Sequence, residues 1–228
     1  MELKKPSIKG IAKVPKELDT DKIFNSIIHF TLKSYKKMYK NKNYINSIKK
    51  VVNYSKKPIE DILRNHLYDC MMLINREEEL NYFISKEDPT TSDYSNETNG
   101  FIDIAIYLSY YKKKCFSLEC KRISKDKSIK SSYINKGIKR YIDLKYVESM
   151  KVAGMIGFVE EGQYSQFSNK VANKIKETVN KKENCFSDVS EHYKHNYVYY
   201  SKHKRVNQKN IKIYHMLFDF VDLSSMIH

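Results

Sequence analysis

The sequence has little of what marks a disulfide-stabilised, secreted or membrane-spanning protein. Its four cysteines, Cys70, Cys115, Cys120 and Cys185, show no paired C-x-x-C spacing, so a disulfide framework is not indicated. The N-terminal stretch lacks the apolar run of a signal peptide, and the longest apolar segments have the length of a strand, far short of a membrane span. These absences predict a soluble, cytoplasmic protein with no membrane partner.

A structural zinc site is also not indicated. Cys185, His192, His195 and His203 are the residue types that bind zinc, but their spacing fits no structural zinc template well.

Positive charge is what the sequence has in excess. Its 228 residues include 42 Lys and Arg against 27 Asp and Glu, a formal net charge of +15. Abundant Lys, Asn, Ile and Tyr are what an AT-rich genome produces, but such drift should enrich Asp and Glu as well. The excess therefore favours a polyanionic partner, with nucleic acid well ahead of an anionic membrane surface. Hydrophobic residues make up 41% of the chain, enough to form a packed core.

Residues 1–57 are predicted to form a basic helical arm. Two apolar stripes at helical spacing mark it, and lysines surround both. The first stripe consists of Ile23, Ile27, Ile28 and Leu32, and the second of Tyr44, Ile45, Ile48 and Val52. A solvated basic surface face explains the lysines about equally well, so the role of the arm stays open.

Residues 58–228 are predicted to form one α/β domain with a central mixed sheet flanked by helices. A long amphipathic helix begins at Pro58, and the polar stretch Ser85 to Asn99 is predicted to be a loop. The strand-like runs Phe101–Leu108 and Cys115–Ile123 follow, joined by the basic turn Tyr110–Lys114. The remaining predicted elements are a helix at 132–149, a buried strand at 152–159, a helix at 167–181 and strands near 197–201 and 211–220.

Three charged residues interrupt the two apolar strands. Asp103 lies in the first, and Glu119 and Lys121 lie two apart in the second, so that these two share a face. A hairpin symmetric about Tyr111 places residue 103 opposite residue 119, and the three charges converge. Two converging carboxylates suit Mg²⁺, and a lysine beside them can help to deprotonate the attacking water or stabilise charge. The structural alternative is a buried ion-paired triad, but apolar replacements of such triads are often at least as stable.

This pattern resembles the PD-(D/E)XK nuclease superfamily, which has the restriction-endonuclease-like fold. The residues that carry the resemblance are Gly100-Phe101-Ile102-Asp103-Ile104 and Phe116-Ser117-Leu118-Glu119-Cys120-Lys121-Arg122-Ile123. The resemblance covers about residues 58–160, and Ile102 stands where the family has its leading proline.

The resemblance implies a set of functional residues. Asp103, Glu119 and the Cys120 carbonyl would bind Mg²⁺ or Mn²⁺, and Lys121 would be catalytic. Family members often add an acidic residue from the first core helix, where Glu60 is preferred over Asp61, although acidic residues at a helix start are also favoured by the helix dipole. Cations that follow the E-x-K residues Glu119 and Lys121 would bind the nucleic acid. These are Arg122, directly after Lys121, and Lys139 and Arg140 in the next predicted helix.

The expected function is metal-dependent hydrolysis of phosphodiester bonds, with DNA favoured over RNA. By analogy with similar nucleases, the chain would be the effector of a bacterial antiviral defence complex, restrained by protein partners or by homo-oligomerisation. Two alternatives stay open: a sequence-specific restriction endonuclease acting as a dimer, and a catalytically decayed nucleic-acid-binding subunit.

Overall fold

The computed structural model describes residues 19–40, 46, 50, 58–92, 95–108, 115–145, 150–179, 185–194, 196–207 and 209–221. Its helices are α1 (Thr20–Lys40), α2 (Ile59–Glu77), α3 (Asp126–Ser128), α4 (Lys139–Ile142) and α5 (Tyr164–Lys176). A π-helix, Ile129–Ile138, connects α3 to α4, and a 3₁₀ helix spans Ser190–Tyr193. The strands are β1 (Tyr82–Ser92), β2 (Ser95–Leu108), β3 (Cys115–Ile123), β4 (Val152–Val159), β5 (Phe186–Asp188), β6 (Val198–Lys204) and β7 (Asn210–Asp219). No helix of these segments is long and apolar enough to cross a bilayer.

The strands form one mixed sheet in the order β1-β2-β3-β4-β7-β6-β5. β3, β4 and β7 run parallel to one another at the centre, and antiparallel strands extend the sheet on both sides. Parallel central strands are usually covered on both faces. β4 fits this rule, because every one of its residues is buried. The predicted α/β fold with a mixed sheet flanked by helices is therefore confirmed.

Each face of the sheet carries its own apolar core. The first core contains the buried side chains of α1 and α2 together with one face of the central strands. The second contains those of the π-helix, α4 and α5 with the opposite face. Six residues of α2 are predicted from their spacing to share one inward face. Ile62, Leu63, Leu67, Met71 and Ile74 are at most 3% exposed, and Ile59 is partly buried against the same core. The amphipathic spacing of these segments thus explains the layered arrangement.

Helix α1 belongs to the first core. Phe24, Ile27 and Ile28 are fully buried in it, and Tyr35 near the helix end stacks on Phe218 of β7 with ring centroids 4.1 Å apart. The Tyr35 hydroxyl also accepts a hydrogen bond from the Asp219 amide at 2.9 Å. The first apolar stripe of the predicted arm is therefore part of the domain core. The second stripe lies outside the described residues, and the domain boundary at residue 57 stays a prediction.

Several predicted element bounds match the structure and others do not. β3 and β4 have the predicted bounds. The predicted loop from Ser85 to Asn99 is wrong, because β1 and β2 continue through most of it as an antiparallel hairpin. Strand pairing uses backbone groups, which polar residues supply as well as apolar ones, so hydrophobic alternation did not reveal this hairpin. The turn Tyr110–Lys114 lies outside the described residues.

The helices differ from their predicted bounds mainly at their ends. The helical segment after β3 begins at Asp126, before the predicted start at Ser132, and α4 ends at Ile142. Helix α5 begins at Tyr164 and ends at Lys176, whereas 167–181 was predicted. The three-residue strand β5 was not predicted, since a segment this short has no periodicity to detect.

A buried chain of hydrogen bonds joins the π-helix to strands β7 and β6. His215 Nδ1 lies 3.1 Å from the Tyr133 hydroxyl, and its Nε2 lies 2.7 Å from Ser201 Oγ. Ser201 Oγ also lies 2.7 Å from His203 Nε2. Burial lowers the pKa of His203 to about 4 and, together with the proximity of His203, lowers that of His215 well below its ordinary value. Both imidazoles are therefore neutral in the folded protein near pH 7.

The neutral histidines predict acid sensitivity. An unfolded histidine titrates near pH 6.5, so the unfolded chain binds more protons as the pH falls from about 6.5 towards 4, and stability is lost over that window. Between pH 7.5 and 5.0, His203 alone should cost the native state about 2 kcal/mol. His203→Gln should reduce this pH dependence by that amount in urea unfolding. Equal pH dependence in the wild type and the variant would contradict the interpretation.

Candidate active site

The three charged residues of β2 and β3 lie where these two strands separate. The β2–β3 pairing runs from Tyr107–Cys115 to Ile104–Leu118 in the predicted register and stops there. β3 continues beside β4, and β2 continues beside β1. Ile104 and Ile106 lie in the first core but Ile102 lies in the second, so the regular alternation of β2 is interrupted next to Asp103. The result is a fork with Asp103 at its apex.

Asp103 closes the fork with its side chain. Its Oδ2 accepts a hydrogen bond from the Cys120 amide at 2.7 Å, so the carboxylate takes the place of the strand carbonyl that would otherwise accept this bond. The side chain is only 13% exposed. A carboxylate held by a backbone amide has a fixed orientation, which is what a metal ligand requires.

Lys121 is the centre of the cluster. Its Nζ lies 2.8 Å from Glu119 Oε1, 3.2 Å from Glu60 Oε1 and 3.7 Å from Asp103 Oδ2, and donates to the Cys120 carbonyl at 2.7 Å. Burial by itself would lower the lysine pKa, but attraction by Glu119, Asp103 and Glu60 outweighs it and raises the pKa above its ordinary value. Lys121 is therefore an ammonium in this arrangement.

Glu60 reaches the site from the first turn of α2. One carboxylate oxygen contacts Lys121, and the other accepts a hydrogen bond from the Arg122 amide at 2.8 Å. Asp61, the other candidate at this helix start, pairs with Arg64 at 3.2 Å instead. The structure therefore places Glu60, the preferred residue, within the lysine cluster.

The predicted nucleic-acid-binding residues take different positions. Arg140 donates to Glu119 Oε1 at 3.0 Å, with a side chain that is 38% exposed. Arg122 pairs with the buried Glu160 at 2.5 Å and lines the cleft described below. Lys139 is exposed and is not part of the cleft lining, so its predicted role stays a prediction.

A cleft of about 470 Å³ opens beside the cluster. Glu60 and Asp61 line one side of it and Lys121 lies in its floor. The other side carries residues spaced four apart on the helical segment after β3, where this spacing gives one common face: Ser128, Ser132, Lys136 and Arg140. Hydroxyls and cations in a row can contact successive oxygens of a phosphate backbone. Lys136 and Ser132 were not predicted, although their regular spacing to Arg140 is visible in the sequence.

Arg64 is the other residue that sequence reasoning missed. It is 7% exposed and contacts Asp103 at 3.2 Å and Glu87 at 2.6 Å. A sequence signal for it exists, since it lies four residues after Glu60 on the apolar face of α2. An arginine at such a position requires buried partners.

The cluster as a whole is short of positive charge. Ion pairs join five carboxylates, Glu60, Asp61, Glu87, Asp103 and Glu119, to three cations, Arg64, Lys121 and Arg140. Among the described residues of this cluster, the carboxylates therefore outnumber the cations by two. In the described part of the chain, no three His, Cys, Asp or Glu side chains are arranged to hold a metal by themselves. Mg²⁺ can bind through one or two carboxylates and complete its shell with water and phosphate, so Asp103 and Glu119 remain candidate ligands.

Comparison of the chain with family models, curated proteins and solved structures finds no match.

Removing the positive charge of Lys121 should destabilise the fold, and a divalent cation should restore part of the lost stability. Lys121→Met leaves three carboxylates without their shared ammonium, which should lower the unfolding free energy by about 3 kcal/mol or more. Mg²⁺ should recover part of this loss, because a ligand that binds only the native state stabilises it. The measurement is urea unfolding in EDTA and in excess Mg²⁺.

Lys170→Met is the matched control for this variant. Lys170 pairs with Asp126 at 3.3 Å at a site where both side chains are more than half exposed, so its loss should cost less than about 1 kcal/mol. Mg²⁺ should stabilise that variant no more than it stabilises the wild type. Equal losses in the two variants, or no recovery of Lys121→Met by Mg²⁺, would contradict the charge imbalance described here.

Proposed function

We propose that this protein is a metal-dependent nuclease that hydrolyses phosphodiester bonds, with DNA as the favoured substrate. The observation that carries the proposal is the convergence of Asp103, Glu119 and Glu60 on Lys121 at a strand fork, beside a cleft with a cationic wall. Stability explains such a cluster poorly, because charges buried in excess of their partners are costly. A catalytic site explains it directly.

The arrangement of elements supports a restriction-endonuclease-like fold of the PD-(D/E)XK superfamily. A helix that contributes an acidic residue precedes an antiparallel hairpin with the Asp and E-x-K residues, and a helical segment and a parallel strand follow. This is the core order that the sequence resemblance implies.

Asp103, Glu119 and the Cys120 carbonyl are the groups that would hold Mg²⁺ or Mn²⁺. When bound, the ion supplies Lewis-acid stabilisation of the phosphate and a water of lowered pKa. Asp103 is oriented by the Cys120 amide, and Glu119 is fully buried between two cations. The protein thereby fixes both carboxylates before substrate arrives, which reduces the reorganisation needed during reaction.

Lys121 contributes positive charge to the reaction centre. Its three carboxylate neighbours keep it protonated, so in this arrangement it acts as a hydrogen-bond donor and not as a base. A donor beside the phosphate stabilises the negative charge that develops as the bond to the leaving oxygen breaks. Of the two roles considered for this lysine, charge stabilisation is the one that the geometry supports.

The cleft wall supports nucleic acid as the substrate. Lys136 and Arg140 present cations, and Ser132 a hydroxyl, on the side opposite Glu60 and Asp61. A phosphate backbone can lie between this wall and the carboxylates, and the net charge of +15 would draw it there. A decayed, purely binding subunit is the weaker alternative, because all the charged groups of the site are present and in contact.

The first test of this function is cleavage by purified protein. Plasmid, linear DNA and RNA are incubated with Mg²⁺, Mn²⁺ or EDTA, and activity is expected only with a metal. Asp103→Asn, Glu119→Gln and Lys121→Met should each reduce cleavage about a hundred-fold or more, measured per folded protein. Asp126→Asn, at an exposed carboxylate of the same helical segment, is the control. Wild-type rates in the Lys121 variant would show that the proposed mechanism is wrong.

The second test compares two lysines three residues apart. Lys136 lines the cleft and Lys139 does not, although both are exposed. In EDTA, Lys136→Gln should lower DNA affinity and reduce the slope of log Kd against log salt by about 1, since one phosphate contact is lost. Lys139→Gln should change the slope less. An equal or larger effect at Lys139 would place the nucleic acid outside this cleft.

A further inference from the structure

Arg64 lies behind the site, on the side of Asp103 that faces away from Lys121. Its Nη1 lies 3.2 Å from Asp103 Oδ1 and 3.2 Å from Asp61 Oδ1, and its Nη2 lies 2.6 Å from Glu87 Oε1. The guanidinium thus links α2, β1 and β2 through one rigid group. The guanidinium is planar and its N–H groups point in fixed directions, so it orients the carboxylates that it contacts more strictly than a lysine ammonium does.

The two oxygens of Asp103 are held by two different groups. The Cys120 amide fixes Oδ2 at 2.7 Å and Arg64 fixes Oδ1. Without Arg64, one hydrogen bond would remain and the carboxylate could rotate about its terminal torsion, which is soft.

We propose that Arg64, oriented by Glu87, is a positioning residue that holds Asp103 in the orientation in which it binds a divalent cation. This inference depends on the proposed function, because Asp103 has to be a metal ligand. Arg64 does not itself contact the cleft or the substrate in this account. It acts through Asp103, as residues behind a metal ligand commonly do.

Glu87 of strand β1 is the residue that orients Arg64. The neighbouring pairs Lys86–Ile104 and Asp88–Ile102 place Glu87 across from Asp103, and its φ of 51° is in the left-handed region. This conformation is uncommon for residues other than glycine. Glu87 thus combines an uncommon backbone conformation with the ion pair to Arg64.

Charge and orientation predict opposite effects for the loss of Arg64. Removing its positive charge would by itself strengthen the attraction of the site for a divalent cation, whereas releasing the Asp103 carboxylate would weaken binding. Arg64 contacts only one of the two Asp103 oxygens, and each oxygen can accept more than one partner, so a cation can bind with Arg64 in place. We expect the loss of orientation to outweigh the gain in negative charge, so weaker binding by Arg64→Gln would report the positioning role.

The experiment measures Mn²⁺ binding to the full chain without nucleic acid, from the EPR signal of free Mn²⁺. Arg64→Gln should weaken the affinity about ten-fold or more, the usual effect of losing a partner behind a metal ligand. Glu87→Gln should weaken it by a smaller factor. The double variant should be no weaker than Arg64→Gln alone, because Glu87 acts through Arg64.

Glu77→Gln is the matched control. Glu77 also makes a 2.6 Å ion pair, with Lys37, and its side chain is 50% exposed, compared with 59% for Glu87. Glu87 is exposed enough that its variant should fold even if Arg64→Gln does not. An affinity of Glu87→Gln equal to that of Glu77→Gln, or tighter Mn²⁺ binding by Arg64→Gln, would overturn the proposal.

The same measurements separate this inference from the proposed function. Wild-type protein that binds Mn²⁺ and cleaves nucleic acid, with Glu87→Gln behaving as the control, would overturn the positioning role alone. Wild-type protein that binds Mn²⁺ and is weakened by Glu87→Gln, but cleaves nothing, would support the positioning role and overturn the nuclease. Wild-type protein that binds no Mn²⁺ would overturn both.

Discussion

The Lys121 ammonium is the point at which three segments of the chain meet. Glu60 comes from the start of α2, Asp103 from the middle of β2, and Glu119 from the strand of the lysine itself. A buried charge requires partners of opposite sign, and here the partners are on separate elements. The ion pairs therefore fix how the helix and the two strands sit relative to one another. The cleft opens beside this meeting point, with Glu60 and Lys121 in its lining.

A strongly basic chain thus contains a small acidic centre. Long-range attraction depends on the whole charge distribution, whereas metal binding depends on a few groups at close distance. The two requirements can be met together, because salt and water screen distant charges while neighbouring charges in a partly buried site interact strongly. In the proposed function, the excess of lysine would draw a polyanion towards the protein, and the carboxylates at the fork would offer a place for a cation between protein and polyanion.

The sequence predicted the centre of the fold better than its edges. β3 and β4 are almost wholly buried, so their apolar runs were visible. The hairpin register was also predictable, because residues 103 and 119 are equally far from the middle of the turn. The hairpin over Ser85 to Asn99 was missed because backbone hydrogen bonds hold it together. The residue types of a polar segment do not indicate whether its backbone is paired.

The same distinction applies to the candidate site. Asp103, Glu119 and Lys121 stood out because they interrupt apolar strands. Arg64 did not, because a single arginine in an amphipathic helix is ordinary until its three carboxylate partners are known. Lys136 was overlooked because the choice between neighbouring lysines depends on which face of the helical segment lines the cleft. Such choices depend on geometry between elements, which local patterns do not contain.

The stacking of Tyr35 on Phe218 has a consequence for synthesis of the protein. The first described helix completes its core only against the last strand of the sheet, so the contact joins parts of the chain more than 180 residues apart. A ribosome must therefore have released the segment around residue 220 before α1 has its full packing surface. Contacts this distant in sequence slow folding, because a long loop has to close first. The nascent chain would carry the exposed apolar face of α1 until β7 had emerged, and the candidate site would gain the support of a complete core only after that.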